Sequence, residues 1–194
     1  MTMTMALQRR GYGPPAPVQV FQWESELATA LELYRRHAPA RVLEIGTYHG
    51  GTLYHWLQNA QPGALVVSLD SYAVGVDNRG MYSDWIPPGV TLEVLEGDSR
   101  APGIVASVRI FAPFDWIFID AGHYLHEVTS DWNTYGPMAA PGGVVLFHDI
   151  LPPSRNHPEI EVAALWEAIK QTHRTLEIVA NRGAEWGGIG VVLV

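Results

Sequence analysis

Between residues 115 and 150 the chain reads DWIFIDAGHYLHEVTSDWNTYGPMAAPGGVVLFHDI, and two apolar runs in it finish alike: Asp120 with His123, then His148 with Asp149. Carboxylates and imidazoles at the mouths of apolar strands cost stability unless they are paired or bound to something, so the repeated ending marks a candidate site. If the two runs are adjacent strands, Asp120 and Asp149 can converge on one hard cation through oxygen donors. The 194 residues contain no cysteine, so any metal must be held by Asp, Glu, His or Asn.

The elements that would position these groups follow from periodicity. Leu27, Ala30, Leu31 and Tyr34 recur at helical spacing, and Pro39 stops that helix, predicted over 21–37. RVLEIG (41–46) reads as a buried strand, followed by the turn TYHGG and a helix over 51–60. The alternation continues with strands at 64–70, 90–98, 114–120 and 142–149, and helices near 102–110, 125–139 and 158–170. TLEIVA and GGIGVVLV have no helix between them and should form an antiparallel hairpin. The expected fold is an α/β doubly wound, mostly parallel seven-stranded sheet with a C-terminal antiparallel hairpin. Residues 1–18, with GYGPPAP, are expected to be an irregular arm, and 19–194 a single domain.

Ligands of such sheets bind outside the carboxyl ends of the strands. Those ends carry Glu44 to Gly51, Asp70, Asp98, Asp120 to His123, and His148 with Asp149. EIGTYHGG is not the dinucleotide fingerprint, and its glycines could simply make a tight turn. Asp70, however, ends the next strand where a carboxylate can accept both hydroxyls of a ribose. Asp98 ends the third strand where an exocyclic amine could be held.

On these residues the chain, from about 40 to 194, resembles the class I methyltransferases that use S-adenosylmethionine. The resemblance implies that the turn carrying Glu44, Gly46, Thr47, Tyr48, Gly50 and Gly51 approaches the methionine part of the cofactor. It further implies that Asp70 with Ser71 holds the ribose, that Asp98 with Ser99 borders the adenine, and that Asp120 also faces the cofactor. A sulfonium is cationic, and an acidic rim attracts it. FIDAGHY and LFHDI are similar to stretches of catechol-type and macrolide-sugar O-methyltransferases, notably the macrocin and mycinamicin group and the cephalosporin-hydroxylase-like proteins. Carried over, Asp120, His148 and Asp149 are the metal set, and His123, with Asp120, is catalytic as the base. His148 stands where the family usually has a carboxylate; an imidazole either favours Mn, Fe or Zn over the Mg that is the first expectation, or does not ligate at all.

The implied reaction is metal-assisted methyl transfer to a hydroxyl of a small molecule, a natural-product sugar or a phenol. A cofactor-binding relative without catalysis and a nicotinamide-dependent oxidoreductase are the alternatives. Twenty acidic against twelve basic residues, net charge −8, oppose nucleic acid and anionic lipid, and no run is long enough to span a membrane. A cytoplasmic homodimer is expected. The long stretch 71–89 reads as a lid or binding loop in which Tyr72, Met81, Tyr82 and Trp85 wall the substrate, unless these rings merely pack the loop down. Arg155, Asn156 and His157 share the rim. His49 and His55 read as turn and helix-surface residues.

Overall fold

The computed structural model describes residues 17–71 and 79–194; the expected arm up to residue 16, and Tyr72, lie outside the described residues. Helix α1 (Glu24–His37) buries the Leu27, Ala30, Leu31 and Tyr34 stripe. It ends where Ala38, in the left-handed region, returns its N–H to the Tyr34 carbonyl just before Pro39. Strand β1 (Arg41–Ile45) leads through the glycine turn into α2 (Gly51–Gln58), and β2 (Leu65–Asp70) follows. Then come the short α3 (Arg79–Ser83), β3 (Thr91–Glu96), α4 (Pro102–Arg109), β4 (Phe114–Ile119) and α5 (Leu125–Tyr135). A helix expected to reach 139 stops four residues early, because Pro137 has no N–H to continue it; a 3-10 turn, Gly136–Met138, takes its place. The chain closes with β5 (Ala139–His148), α6 (Val162–Lys170), β6 (Arg174–Ile178) and β7 (Ile189–Leu193).

The seven strands form one sheet in the order β3-β2-β1-β4-β5-β7-β6, parallel except where β7 runs antiparallel to both β5 and β6. This is the doubly wound sheet with its terminal hairpin. Alternate strand residues face opposite layers, as the period of two requires. Val42, Val66, Trp116 and Leu146 pack with α1 and α2, whereas Leu43, Val67, Ile117 and Val145 pack with α4, α5 and α6. The first layer is strongly aromatic: Tyr34, Trp56 and Trp116 lie within 5.1–5.5 Å of one another, centroid to centroid. β5 begins earlier than 142, with Ala139 opposite Phe114. Its register then shifts before Trp116 meets Val144, across Pro141, Gly142 and Gly143.

Register places the site. Ile45 pairs with both Leu69 and Ile119, and Ile119 pairs with Phe147, so the residues that follow each strand emerge side by side on one rim. No helix among the described residues is long and apolar enough to cross a membrane.

Candidate functional site

The turn after β1 is held tightly against its neighbours. Gly46 donates to the Leu69 carbonyl at 2.9 Å and Asp120 donates to the Ile45 carbonyl at 2.8 Å. Gly46 has φ +91°, and a Cβ there would lie 1.9 Å from the Asp120 carbonyl oxygen, so only glycine lets the turn pass over the end of β4. Beneath the turn, Glu44 accepts from Thr47 Oγ1 (2.9 Å), Thr52 Oγ1 (2.5 Å) and Trp56 Nε1 (3.0 Å). Burial pushes its carboxyl up to about 7. Asp70 accepts from the Tyr48 N–H at 2.5 Å, tying the turn to the end of β2.

A cleft of about 830 Å³ runs along this rim. Gly46, Thr47, Tyr48 and Gly51 line its middle, with Asp70 and Ser71 beside them. Asp98 and Ser99 lie toward the β3 side, and Asp120, His123, His148 and Asp149 toward the β4–β5 side. Two residues expected in the cleft are not on its walls. Glu44 shares the strand face of Val42 and points under the turn, and Gly50 packs against Tyr82 and Trp85.

At the β4–β5 end two carboxylates and two imidazoles meet. His123 Nε2 is 3.1 Å from Asp149 Oδ2 and 3.7 Å from Asp120 Oδ1; His148 Nδ1 is 3.3 Å from Asp120 Oδ1 and 3.4 Å from Asp149 Oδ2. The imidazoles differ in access: the His123 side chain is 39% exposed and the His148 side chain 3%, with its Nε2 buried and unpartnered. The Asp120 and Asp149 carboxylates push His123 up to about 10. Burial opposes charge on His148, yet the same carboxylates hold it well above its ordinary value. Asp149 is correspondingly held far below the usual carboxylate range: burial would raise it, but the His148 charge and the His123 contact outweigh that. Asp149 also sits in the left-handed region (φ 61°) and accepts from the Gly187 N–H at 2.9 Å.

The donor atoms of Asp120, His123 and Asp149 all lie within 4.8 Å of one another, an arrangement that could hold a metal ion. The imidazole in that trio is the one expected as base; His148, expected as a ligand, is not part of it.

Other expectations need correction. Of the two readings of the 71–89 stretch, Tyr82 and Trp85 follow the packing one: neither walls the cleft, both are buried in the aromatic layer, where Trp85 meets Tyr54 edge-on, and Met81 packs against the same layer. His55 is not on a helix surface. Helix α2 is buried nearly all round, and burial lowers His55 to about 4. Of Arg155, Asn156 and His157, only His157 lines the cleft.

Sequence reasoning missed Gln22, whose Nε2 donates to Asp120 Oδ2 at 2.6 Å from 98 residues away. It also missed the wall formed by Trp186. Trp23 stacks on this ring and donates to its carbonyl, while Glu26, buried in α1, accepts from the N–H groups of Ala180 and Gly188 at 2.8 and 2.9 Å. A lone Gln and a Trp beside two glycines carry no pattern from which these roles could be read.

Residues 43–150 match a family described as a methyltransferase domain. The uncharacterized protein y4gI of Sinorhizobium fredii is 24% identical over 124 residues, 57% of this chain; the match spans only 13% of that longer protein. An O-methyltransferase from Bacillus cereus, solved in complex with SAH, superposes with TM-score 0.68 at 18% identity, over 92% of this chain and 84% of its own. The O-methyltransferase TomG from Streptomyces achromogenes, solved with SAM, gives TM-score 0.67 at 19% identity, over 98% and 87%. At such identities the superpositions establish the fold, while the family match covers more than half of the sequence. This chain belongs to the methyltransferase-domain family and carries the class I methyltransferase fold.

Proposed function

We propose that the chain transfers the methyl group of S-adenosylmethionine to a hydroxyl of a small molecule, a natural-product sugar or a phenol, with help from a divalent cation. The observation that carries this reading is the double position of Asp120. Its backbone carbonyl lies against the Gly46 turn, while its carboxylate belongs to the cluster with His123 and Asp149. A methyl donor held along the turn would thus end beside groups able to take a proton. The cleft volume suits a ligand of that size, and the carboxylates of the rim suit a sulfonium.

Asp120 and Asp149 would hold the cation, which when bound would lower the pKa of an acceptor hydroxyl, and His123, whose donor atom lies within 4.8 Å of theirs, would stay free to take a proton. The carboxylate oxygens suit a hard cation such as Mg or Mn. His148, buried and within 3.4 Å of both carboxylates, would supply a fixed countercharge that keeps both ionised. Gln22 fixes the orientation of Asp120. In the transfer, the acceptor oxygen bonds to the methyl carbon as the carbon–sulfur bond breaks and its electron pair passes to sulfur. The hydroxyl proton leaves to His123, the more exposed of the cluster's two imidazoles, both of which line the cleft. His123 can take it only when neutral, and beside these two carboxylates it is held protonated to about 10. Turnover at neutral pH therefore requires other positive charge on those oxygens first.

The test has two steps. Calorimetric titration with S-adenosylhomocysteine should show binding, and a methyl-acceptor screen over sugars and phenols should yield turnover that EDTA abolishes and Mn²⁺ or Mg²⁺ restores. Turnover indifferent to EDTA would remove the cation, and failure to bind S-adenosylhomocysteine would remove the whole reading. A homodimer belongs to the same proposal and is checked by light scattering.

A further inference from the structure

At the β3 end of the cleft the obvious partner for an exocyclic amine is Asp98, but its carboxylate is already engaged. Oδ1 accepts from the Arg100 N–H and Nε, both at 2.9 Å, and Oδ2 accepts from the Arg100 terminal nitrogen at 3.1 Å. Arg100 also lies 3.3 Å from Glu127. One helical turn after Glu127 on α5 stands Asp131, which lines the same cleft and is only 2% exposed. Its Oδ1 is buried and has no partner. Ser99, whose carbonyl accepts from the Tyr135 hydroxyl at 2.6 Å, adjoins it. Burial pushes the Asp131 carboxyl up to about 6, with the Ser99 hydrogen bond offsetting only part of that effect. A buried carboxylate oxygen without a donor is costly unless something supplies one, and the cleft is the side from which a ligand could.

We infer that Asp131, rather than Asp98, receives the exocyclic amine of the methyl donor's adenine and so sets the preference for adenine over other purines. Asp98 and Arg100 form an ion pair at the rim and leave the buried oxygen to do the reading. The inference rests on the methyl-donor proposal above. An amine donates to Asp131, whereas a carbonyl at the same ring position would turn its lone pairs on the carboxylate, leaving two acceptors face to face.

The experiment is calorimetric titration of the full chain with S-adenosylhomocysteine and with S-inosylhomocysteine, in which a carbonyl replaces the amine. Wild type should prefer the adenosyl compound by about 10- to 100-fold, the value of one hydrogen bond to a charged group. Asp131→Leu should bring the two affinities together, and so should Asp131→Asn, whose amide can donate to the carbonyl. Asp98→Asn should keep the wild-type preference. An unchanged preference in Asp131→Asn, or its loss in Asp98→Asn, overturns this inference alone. Wild type that binds neither compound overturns the methyl-donor reading and this inference with it.

Discussion

The two halves of the rim use polar side chains in opposite ways. On the β1–β2 side, Glu44 is consumed by Thr47, Thr52 and Trp56, and Asp70 engages the Tyr48 N–H, so carboxylates there fix the backbone that shapes the cleft. On the β4–β5 side, Asp120, His123, His148 and Asp149 face one another, and one imidazole opens to the cleft. A carboxylate that already accepts three donors is a structural part; a carboxylate whose neighbours are ionisable can exchange protons or take a cation. Residue type at a strand end does not distinguish the two cases, but the partners do.

The largest effect should come from the reactive half. His123→Ala should lower turnover by about 10²- to 10⁴-fold, the usual contribution of a general base, with S-adenosylhomocysteine affinity unchanged. Asp120→Ala and Asp149→Ala should abolish the response to divalent cation while that affinity survives. Wild-type kcat in any of the three would erase the contrast between the halves.

The structural half should announce itself through stability. Glu44 carries its proton more tightly when folded, to about 7 against an ordinary 4.5. Its contribution is fully present below 4.5 and is lost as pH rises through 7, a change on the order of 3 kcal/mol. His55 acts with the opposite sign: lowered from 6.5 to about 4, it costs stability as pH falls through that window. Glu44→Gln keeps an acceptor for Trp56, so the difference in unfolding free energy between wild type and variant, followed by denaturant titration from pH 4.5 to 7, isolates the carboxyl. A parallel pair of curves would mean that the buried group is not titrating.

Gln22→Leu should sit between the two kinds of effect. The loss of an orienting hydrogen bond to Asp120 should reduce kcat by about 10-fold, the low end for outer partners of a ligand, with KM for the methyl donor little changed. Smallest of all, Arg100→Ala removes a half-exposed, solvent-screened ion pair and should leave the denaturation midpoint nearly unchanged.

The alternation of strand and helix, and the place of Asp70, Asp120 and His148 at strand ends, were legible because burial writes itself into the sequence with a period. Parity could also have placed Glu44, since it shares a face with Val42, which packs toward α2. His55 is misread from sequence, and the Tyr82–Trp85 pair stays open between lid and packing, because α2 is covered by α1 on one side and by the loop around α3 on the other, a tertiary fact with no local signature. Asp131 reads as one more polar residue of an amphipathic helix until the unpartnered oxygen is seen.

The grip of Glu26 on the loop between β6 and β7 bears on how the protein is made. Ribosomes deliver the first segments well before the last, yet the rim needs both: Gln22 on Asp120, Glu26 on Gly188, Gly187 on Asp149. A nascent chain can lay down the first five strands of the sheet and still lack a finished pocket. Competence would arrive in one late step, when the final hairpin slots in beside β5 and the earliest helix of the domain closes on it.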